Sequence, residues 1–382
     1  PAIKKNEYLI RTTKSLISTG TEKMLLEFGK SSYFEKALQQ PEKVKQTIQK
    51  IKTDGLSSTI EAVNSKLDQP IEMGYCNVGI IEESFSGGLP VGTRVISNGS
   101  HSSYVVVPKN LVAKIPDNVS DEQAVFTIPG SIALQSIRLF KPDLGETIVV
   151  FGLGLIGLLT VQILRANGCN VYGIDLDREK CEIAEKFGAK CFSSSEDCLS
   201  SILTTNPKGI DGVIISASAK TNEIIEKSAE LCRKRGRIIL VGVVGLNLDR
   251  SLFYEKELSF QVSCSYGPGR YNKNYEEKGL DYPIEFVRWT ENRNFYAVLD
   301  LMSQEKILTK MLITANFSFD SASDAYDSLK SSKALGLILD YDFAPLERTL
   351  KYQNNKNSES INKPKVSFIG AGNYASRVLM PA

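Results

Sequence analysis

The run Ile148-Val149-Val150-Phe151 ends in Gly152-Leu153-Gly154-Leu155-Ile156-Gly157, and a helical pattern of Leu158, Val161 and Leu164 follows at once. A second apolar run, Val171 to Ile174, ends at Asp175, 23 residues beyond Gly152. These residue types at these spacings suit one task, the cradling of a dinucleotide. Gly152 permits a tight turn, Gly154 lets the main chain approach a pyrophosphate, and Gly157 lets the helix close on the strand. Leu155 and Ile156 open the helix, whose first N–H groups have no partner within it and are free for phosphate oxygens. Asp175 stands close to the spacing of about 20 residues expected for an acid that binds a ribose hydroxyl. A carboxylate there repels a 2′-phosphate and favours NAD, while Arg178 nearby leaves NADP open.

The elements that must position these residues alternate from about residue 122 to 265. Further strand-like runs are Gly212 to Ile215 and Arg237 to Val241, and between them a helix runs through Ile224, Ile225, Ala229 and Leu231. Such alternation predicts βαβ units and a parallel sheet covered on both faces. Ligands of such sheets lie beyond the carboxyl ends of the strands, which makes Ser216, Val241 and Gly242 candidate neighbours of a nicotinamide.

Residues 1–125 read differently. Tyr8 to Thr12, Val78 to Ile81, Arg94 to Ile96 and Tyr104 to Val107 are short β-like runs separated by Gly and Pro turns. Residues 32–68 carry helical patterns, Val44, Ile48 and Ile51 and then Ile60, Val63 and Leu67, which suit packing, a lid or an oligomer contact. Residues 266–344 are mixed and close on a strand at Leu337 to Leu339; residues 345–364, rich in Asn, Lys and Ser, read as a linker. Val366 to Ile369 then enters Gly370-Ala371-Gly372-Asn373-Tyr374-Ala375, a second glycine fingerprint. The chain opens on Pro1 and stops at Ala382 inside that pattern, so we expect a longer polypeptide.

The 382 residues suggest two or three domains, and 42% hydrophobic with 24% charged side chains is a globular composition. A net charge of +2 offers no case for nucleic acid or an anionic membrane, and no apolar run reaches a spanning length. Seven scattered cysteines without a Cys-x-x-Cys pair point to reduced thiols in a cytoplasm. A single histidine, His101, cannot build a His-rich metal site. The partners expected are a small-molecule substrate and further copies of the chain.

Together with this order of elements, Gly20-Thr21-Glu22, Gly74-Tyr75-Cys76-Asn77-Val78-Gly79, Val91-Gly92-Thr93-Arg94-Val95 and Gly145-Glu146-Thr147 resemble the medium-chain dehydrogenase/reductase family over residues 7–343. The resemblance implies an α/β chain: a GroES-like β-rich catalytic domain (1–125 and 266–344) around a Rossmann doubly wound parallel sheet (126–265). Residues 365–382 resemble the truncated start of a second Rossmann domain of the Gfo/Idh/MocA type. The whole is similar to bi-domain oxidoreductases, which carry that module on the same chain.

The departures from the family pattern bear on the chemistry. Zinc-dependent members have Cys-Gly-Thr-Asp and Gly-His-Glu where this chain has Thr19-Gly20-Thr21-Glu22 and Gly74-Tyr75-Cys76, and Phe126-Thr127-Ile128-Pro129-Gly130 supplies no third ligand. Catalytic zinc wants three N, S or carboxylate ligands, so the expectation is NAD, with NADP possible, and no zinc. Tyr75, at the position of a ligand His, becomes a candidate proton donor. Tyr266 and Arg270, in Tyr266-Gly267-Pro268-Gly269-Arg270, follow the last strand of the parallel sheet, where Arg270 can clamp a carboxylate or phosphate. Arg288, beside Tyr282 and Trp289, is a second candidate cation. His101 and Cys76 are weaker candidates for a base and a nucleophile. The expected function is a zinc-independent oxidoreductase acting on a hydroxyl or carbonyl of a sugar-like metabolite. A zinc-free reductase of activated C=C bonds and a non-catalytic partner module are the alternatives.

Overall fold

The computed structural model describes residues 2–30, 72–193, 195–329 and 334–342, with isolated positions between 369 and 380. The helical patterns of 32–68 and the linker of 345–364 lie outside the described residues, and so does most of the second glycine fingerprint. Residues up to Asp342 form one compact unit, and Phe343–Ala382 a second.

The first sheet is built from β1 (Glu7–Ser18), β2 (Asn77–Glu83), β3 (Arg94–Ser97), β4 (Tyr104–Pro108), β5 (Val112–Lys114), β12 (Ile313–Ser318) and β13 (Gly336–Asp340). Its order is β12-β13-β1-β2-β3-β5, with β4 also paired to β1. The central β1 has antiparallel neighbours in β2, β4 and β13. At 12 residues it is at least twice as long as every other strand except β2 and β10, because two sets of partners share its length. Its first half pairs with β4 from Glu7 to Arg11, and its second half pairs with β13 from Lys14 to Ser18. The return segment therefore closes the domain that residues 7–114 begin.

The second sheet holds β6 (Thr147–Phe151), β7 (Asn170–Ile174), β8 (Lys190–Phe192), β9 (Ile210–Ile215), β10 (Cys232–Leu240) and β11 (Ser259–Val262). Every pair is parallel, in the order β11-β10-β9-β6-β7-β8. Strands buried on both faces need continuous apolar runs, and Ile148, Val149 and Val150 are each fully buried. The chain leaves β6 first towards β7 and later returns to β9 on its other side. The carboxyl end of β6 is thus the switch point where open α/β sheets bind ligands.

Three helices bear on the site, with α1 (Thr21–Lys30) following β1, α2 (Thr127–Phe140) entering the parallel sheet and α3 (Leu155–Ala166) following β6. Two more, α4 (Arg178–Lys186) and α5 (Glu223–Leu231), flank the sheet, and α6 (Glu291–Ser303) packs on α2. Helix α2 is buried through Ile128, Ala133, Ile137 and Phe140, and one apolar core runs from Leu16, Val78 and Ile96 of the first sheet across it to Ile148 and Val150 of the second. No helix among the described residues is long and apolar enough to cross a membrane.

Candidate active site

Gly152 takes φ +86°, a left-handed conformation that an L side chain adopts at a cost, and a Cβ there would stand 2.6 Å from the Ala217 amide nitrogen. A Cβ on Gly157 would stand 1.9 Å from the Gly152 carbonyl oxygen. Both glycines are therefore required by close approach of main chain to main chain. Gly154 differs, since a Cβ there would meet nothing within 4 Å, so its lack of a side chain keeps open space at the N-cap of α3. Leu155 and Ile156 begin that helix, Leu155 buried and Ile156 packed against the core. No side chain caps the helix, so its first N–H groups and the positive end of its dipole face that space.

Two side chains lock the turn. Asp175, at the end of β7, accepts the Leu153 N–H at 2.6 Å and the Asp177 N–H at 2.9 Å. Each of its oxygens keeps a further lone pair. Ser216, just past β9, donates its hydroxyl to the Gly152 carbonyl at 2.6 Å. Val241 and Gly242, just past β10, both donate their N–H to the Ile215 carbonyl, at 2.8 and 3.0 Å. A Cβ on Gly242 would stand 2.0 Å from the Ala217 carbonyl oxygen. Arg178 turns along α4 to Glu182 and Glu185, at 3.4 and 3.5 Å.

On the catalytic-domain side, Tyr75 packs against the core that also buries Tyr266 and Cys76. The Tyr75 hydroxyl reaches the exposed Thr21, 3.4 Å from its oxygen. Burial, and then the neighbouring Cys76, push the Tyr75 phenol well above its ordinary range, so it stays protonated across neutral pH. Tyr266 is buried too, donating to Asn98 Oδ1 at 2.8 Å, and burial raises it against the opposing pull of Arg270. Arg270 lies over the Tyr266 ring and is committed to Glu276 at 2.5 Å. Arg288 stacks on Trp289, the ring that also carries Arg138 of α2.

The structure also assembles a cluster that the sequence reading missed. Glu22, fully buried, accepts the Ser18 N–H at 2.9 Å and the Tyr326 hydroxyl at 2.5 Å, and lies 3.1 Å from His101 Nε2. His101 Nδ1 meets Ser15 Oγ at 2.7 Å, and Ser15 Oγ meets the Tyr341 hydroxyl at 2.9 Å. Ser15, His101 and Glu22 have the residue types of a hydrolytic triad, but Ser15 is fully buried, so the set acts as a strut. Its partners are separated by up to 326 residues, and no local signal announces them. The nearest hint was a lone His together with an acid in the turn after β1.

The potential metal donors here are engaged or sealed. Thr19 donates to the Leu335 carbonyl at 3.2 Å, and burial, with Glu22 nearby, pushes the Cys76 thiol well up. Among the described residues no cluster of three or more His, Cys, Asp or Glu is placed to hold a metal ion.

Comparison with known proteins gives a family and a fold. Residues 156–279 match the model of the zinc-binding dehydrogenase family. The starvation-sensing protein RspB of Escherichia coli is 31% identical over 275 residues, 71% of this chain and 74% of that protein. The D-xylulose reductase of Saccharomyces cerevisiae is 28% identical over 240 residues, 60% of this chain and 60% of that protein, so the chain spans less than two thirds of that relative. A crystal structure of RspB from E. coli CFT073, complexed with NADH, superposes with a TM-score of 0.67 at 21% identity, over 89% of this chain and 93% of that one.

Proposed function

The chain belongs to the zinc-binding, or medium-chain, dehydrogenase family, and from that premise we propose that it is an NAD(P)-dependent oxidoreductase acting on a hydroxyl or carbonyl of a sugar or sugar alcohol without a catalytic zinc. The observation that carries the cofactor reading is the open space at Gly154, where an uncapped helix end meets a turn held shut by Asp175 and Ser216. Those groups fit a dinucleotide. The α3 amides and dipole receive the pyrophosphate, and the spare lone pairs of Asp175 take ribose hydroxyls. When bound, the nicotinamide supplies the hydride chemistry.

This chain's own residues orient the substrate and handle its proton. Tyr75 is a phenol kept protonated by burial, and it donates to the substrate oxygen as charge develops there. Its contact with the exposed Thr21 hydroxyl gives that proton a path to solvent. Tyr266, fixed by Asn98, packs into the same core as Tyr75, and Arg270 lies over its ring.

The zinc-free part of the reading rests on the donor set. Thr19 and Tyr75 stand where the family has ligands, Cys76 is sealed in the core, and Glu22 already serves Ser18, Tyr326 and His101. These groups do not fit a catalytic zinc, which takes three ligating N, S or carboxylate groups. The sugar reading is supported by the name of the yeast relative and by the polyhydroxylated ligands that Tyr and Arg side chains suit.

Titration of the purified chain with NADH and NADPH, followed by a polyol and ketose panel after exhaustive chelation, tests the proposal. Saturable NADH binding and turnover that survives chelation are expected. A chain that binds neither nucleotide sinks the cofactor reading, and activity restored only by zinc sinks the metal-free one.

A further inference from the structure

Away from the glycine turn, a groove of about 430 Å³ opens between the last turns of α2 and α3 and one face of α6. The twelve residues of α3 separate it from the dinucleotide turn by about 18 Å of helix rise. Arg138, Lys141 and Trp289 line it, with Asp300 as its one acid. The Arg138 guanidinium carbon lies 3.3 Å from the centre of the Trp289 ring, and that of Arg288 lies 3.8 Å from the same centre. Two cations thus share one aromatic ring. Arg138 Nε donates to Asn294 Oδ1 at 2.7 Å, and among the described residues neither guanidinium makes an ion pair.

We propose that Arg138 and Arg288, held on Trp289, form a binding site for a phosphate-type oxyanion at this groove. Guanidinium forks match phosphate oxygens in pairs, and Trp289 fixes both forks before a ligand arrives, which lowers the ordering cost. Like charges packed this closely repel, and half-burial strips Arg138 of water. Burial, and then the Arg288 charge, lower Arg138 to about 10. An oxyanion relieves both costs at once. Two features oppose it. The carboxyl ends of α2 and α3 carry partial negative charge, a term of about 0.3–1 kcal/mol that fades within a turn. Asp300 is exposed and holds the Gln304 amide at 2.9 Å. Neither feature pairs with the guanidinium forks. The oxyanion can be free phosphate or the phosphoryl group of a larger metabolite, and the shared chemistry is what Arg138 and Arg288 recognise.

The test is calorimetric titration of the chain already saturated with NADH, so that the glycine turn is occupied, with inorganic phosphate in one arm and glycerol phosphate in the other. Binding in at least one arm is expected, weakened tenfold or more, about 1.4 kcal/mol, by Arg138→Gln and by Arg288→Gln. Binding in the phosphate arm alone identifies the free ion, and tighter binding of glycerol phosphate identifies the larger ligand. If neither ligand binds, or if both variants bind like the parent, the proposal is overturned. Arg288 is exposed, so Arg288→Gln alone decides the matter if Arg138→Gln does not fold. NADH saturation is measured independently, so failure here leaves the dinucleotide reading intact.

Discussion

The turn after β6 and the turn after β1 are both strand-to-helix junctions carrying glycine, and they spend their main-chain donors in opposite ways. After β6, the side chains of Asp175 and Ser216 brace the turn from outside, and the first amides of α3 are left uncapped. After β1, Glu22 folds back and takes the Ser18 N–H itself. The first junction therefore offers its backbone to a ligand. The second has consumed its own polarity in a buried strut, and any chemistry beside it has to come from a neighbouring side chain such as Tyr75. The glycine residues alone do not distinguish these outcomes. The distinction lies in whether an acid sits one strand away or inside the turn.

The largest expected effect breaks the first junction. Gly157→Ala places a Cβ against the Gly152 carbonyl at 1.9 Å, and either the turn or the helix must move. NADH affinity should fall by about 3 kcal/mol or more, read as loss of fluorescence titration. The second junction responds to a different change. Tyr75→Phe removes the only hydroxyl that we assign to the substrate oxygen, and kcat should drop about a hundredfold with NADH affinity unchanged. A fall in NADH affinity instead would place Tyr75 in the binding of cofactor rather than in proton transfer.

Glu22→Gln separates strut from chemistry. Replacing the carboxylate leaves the Ser18, His101 and Tyr326 donors competing for one carbonyl oxygen. A stability loss of about 2 kcal/mol by thermal melting is expected, with NADH affinity retained.

A change that is silent in acid and grows with pH concerns an acid with the opposite surroundings. Glu291, at the start of α6, is fully buried, and neither carboxylate oxygen has a hydrogen-bond partner among the described residues. Burial, with Glu276 adding and Arg270 opposing, raises it to about 8 from an ordinary 4.5. The folded chain holds the proton more tightly than the unfolded chain does. The stabilisation is therefore complete below pH 4.5 and is lost progressively as pH rises through about 8. Glu291→Gln should match the parent near pH 4 and exceed it by up to about 5 kcal/mol at alkaline pH. An alkaline melting curve that does not separate the two chains would mean that Glu291 finds a donor.

Much of the parallel sheet was legible because its signals are local. Ile148 to Phe151 and Gly212 to Ile215 are continuous apolar runs, and they became β6 and β9. The short strands β5, β8 and β11 went unread. Each is three or four residues long, and unlike the equally short β3, with Val95 beside Ile96, none carries two adjacent β-branched residues. Strand β12 alternates half-buried with exposed residues at the edge of its sheet and carries little apolar signal. Tyr75 and Tyr266 were singled out separately, and the structure packs both against one core. Arg270 and Arg288 were read as cations for one ligand, but the structure gives Arg270 to Glu276 and Arg288 to Trp289.

What the sequence determined by itself is the dinucleotide turn, because three glycines, an apolar run and an acid interact over fewer than thirty residues. Such short-range order needs no knowledge of the rest of the chain. Tertiary structure alone decided the fate of the other polar residues. Glu22 meets Tyr326 across 304 positions, and Arg138 meets Trp289 across the α2–α6 contact. A buried polar group must find a partner, and which partner it finds depends on how the sheets and helices close around it.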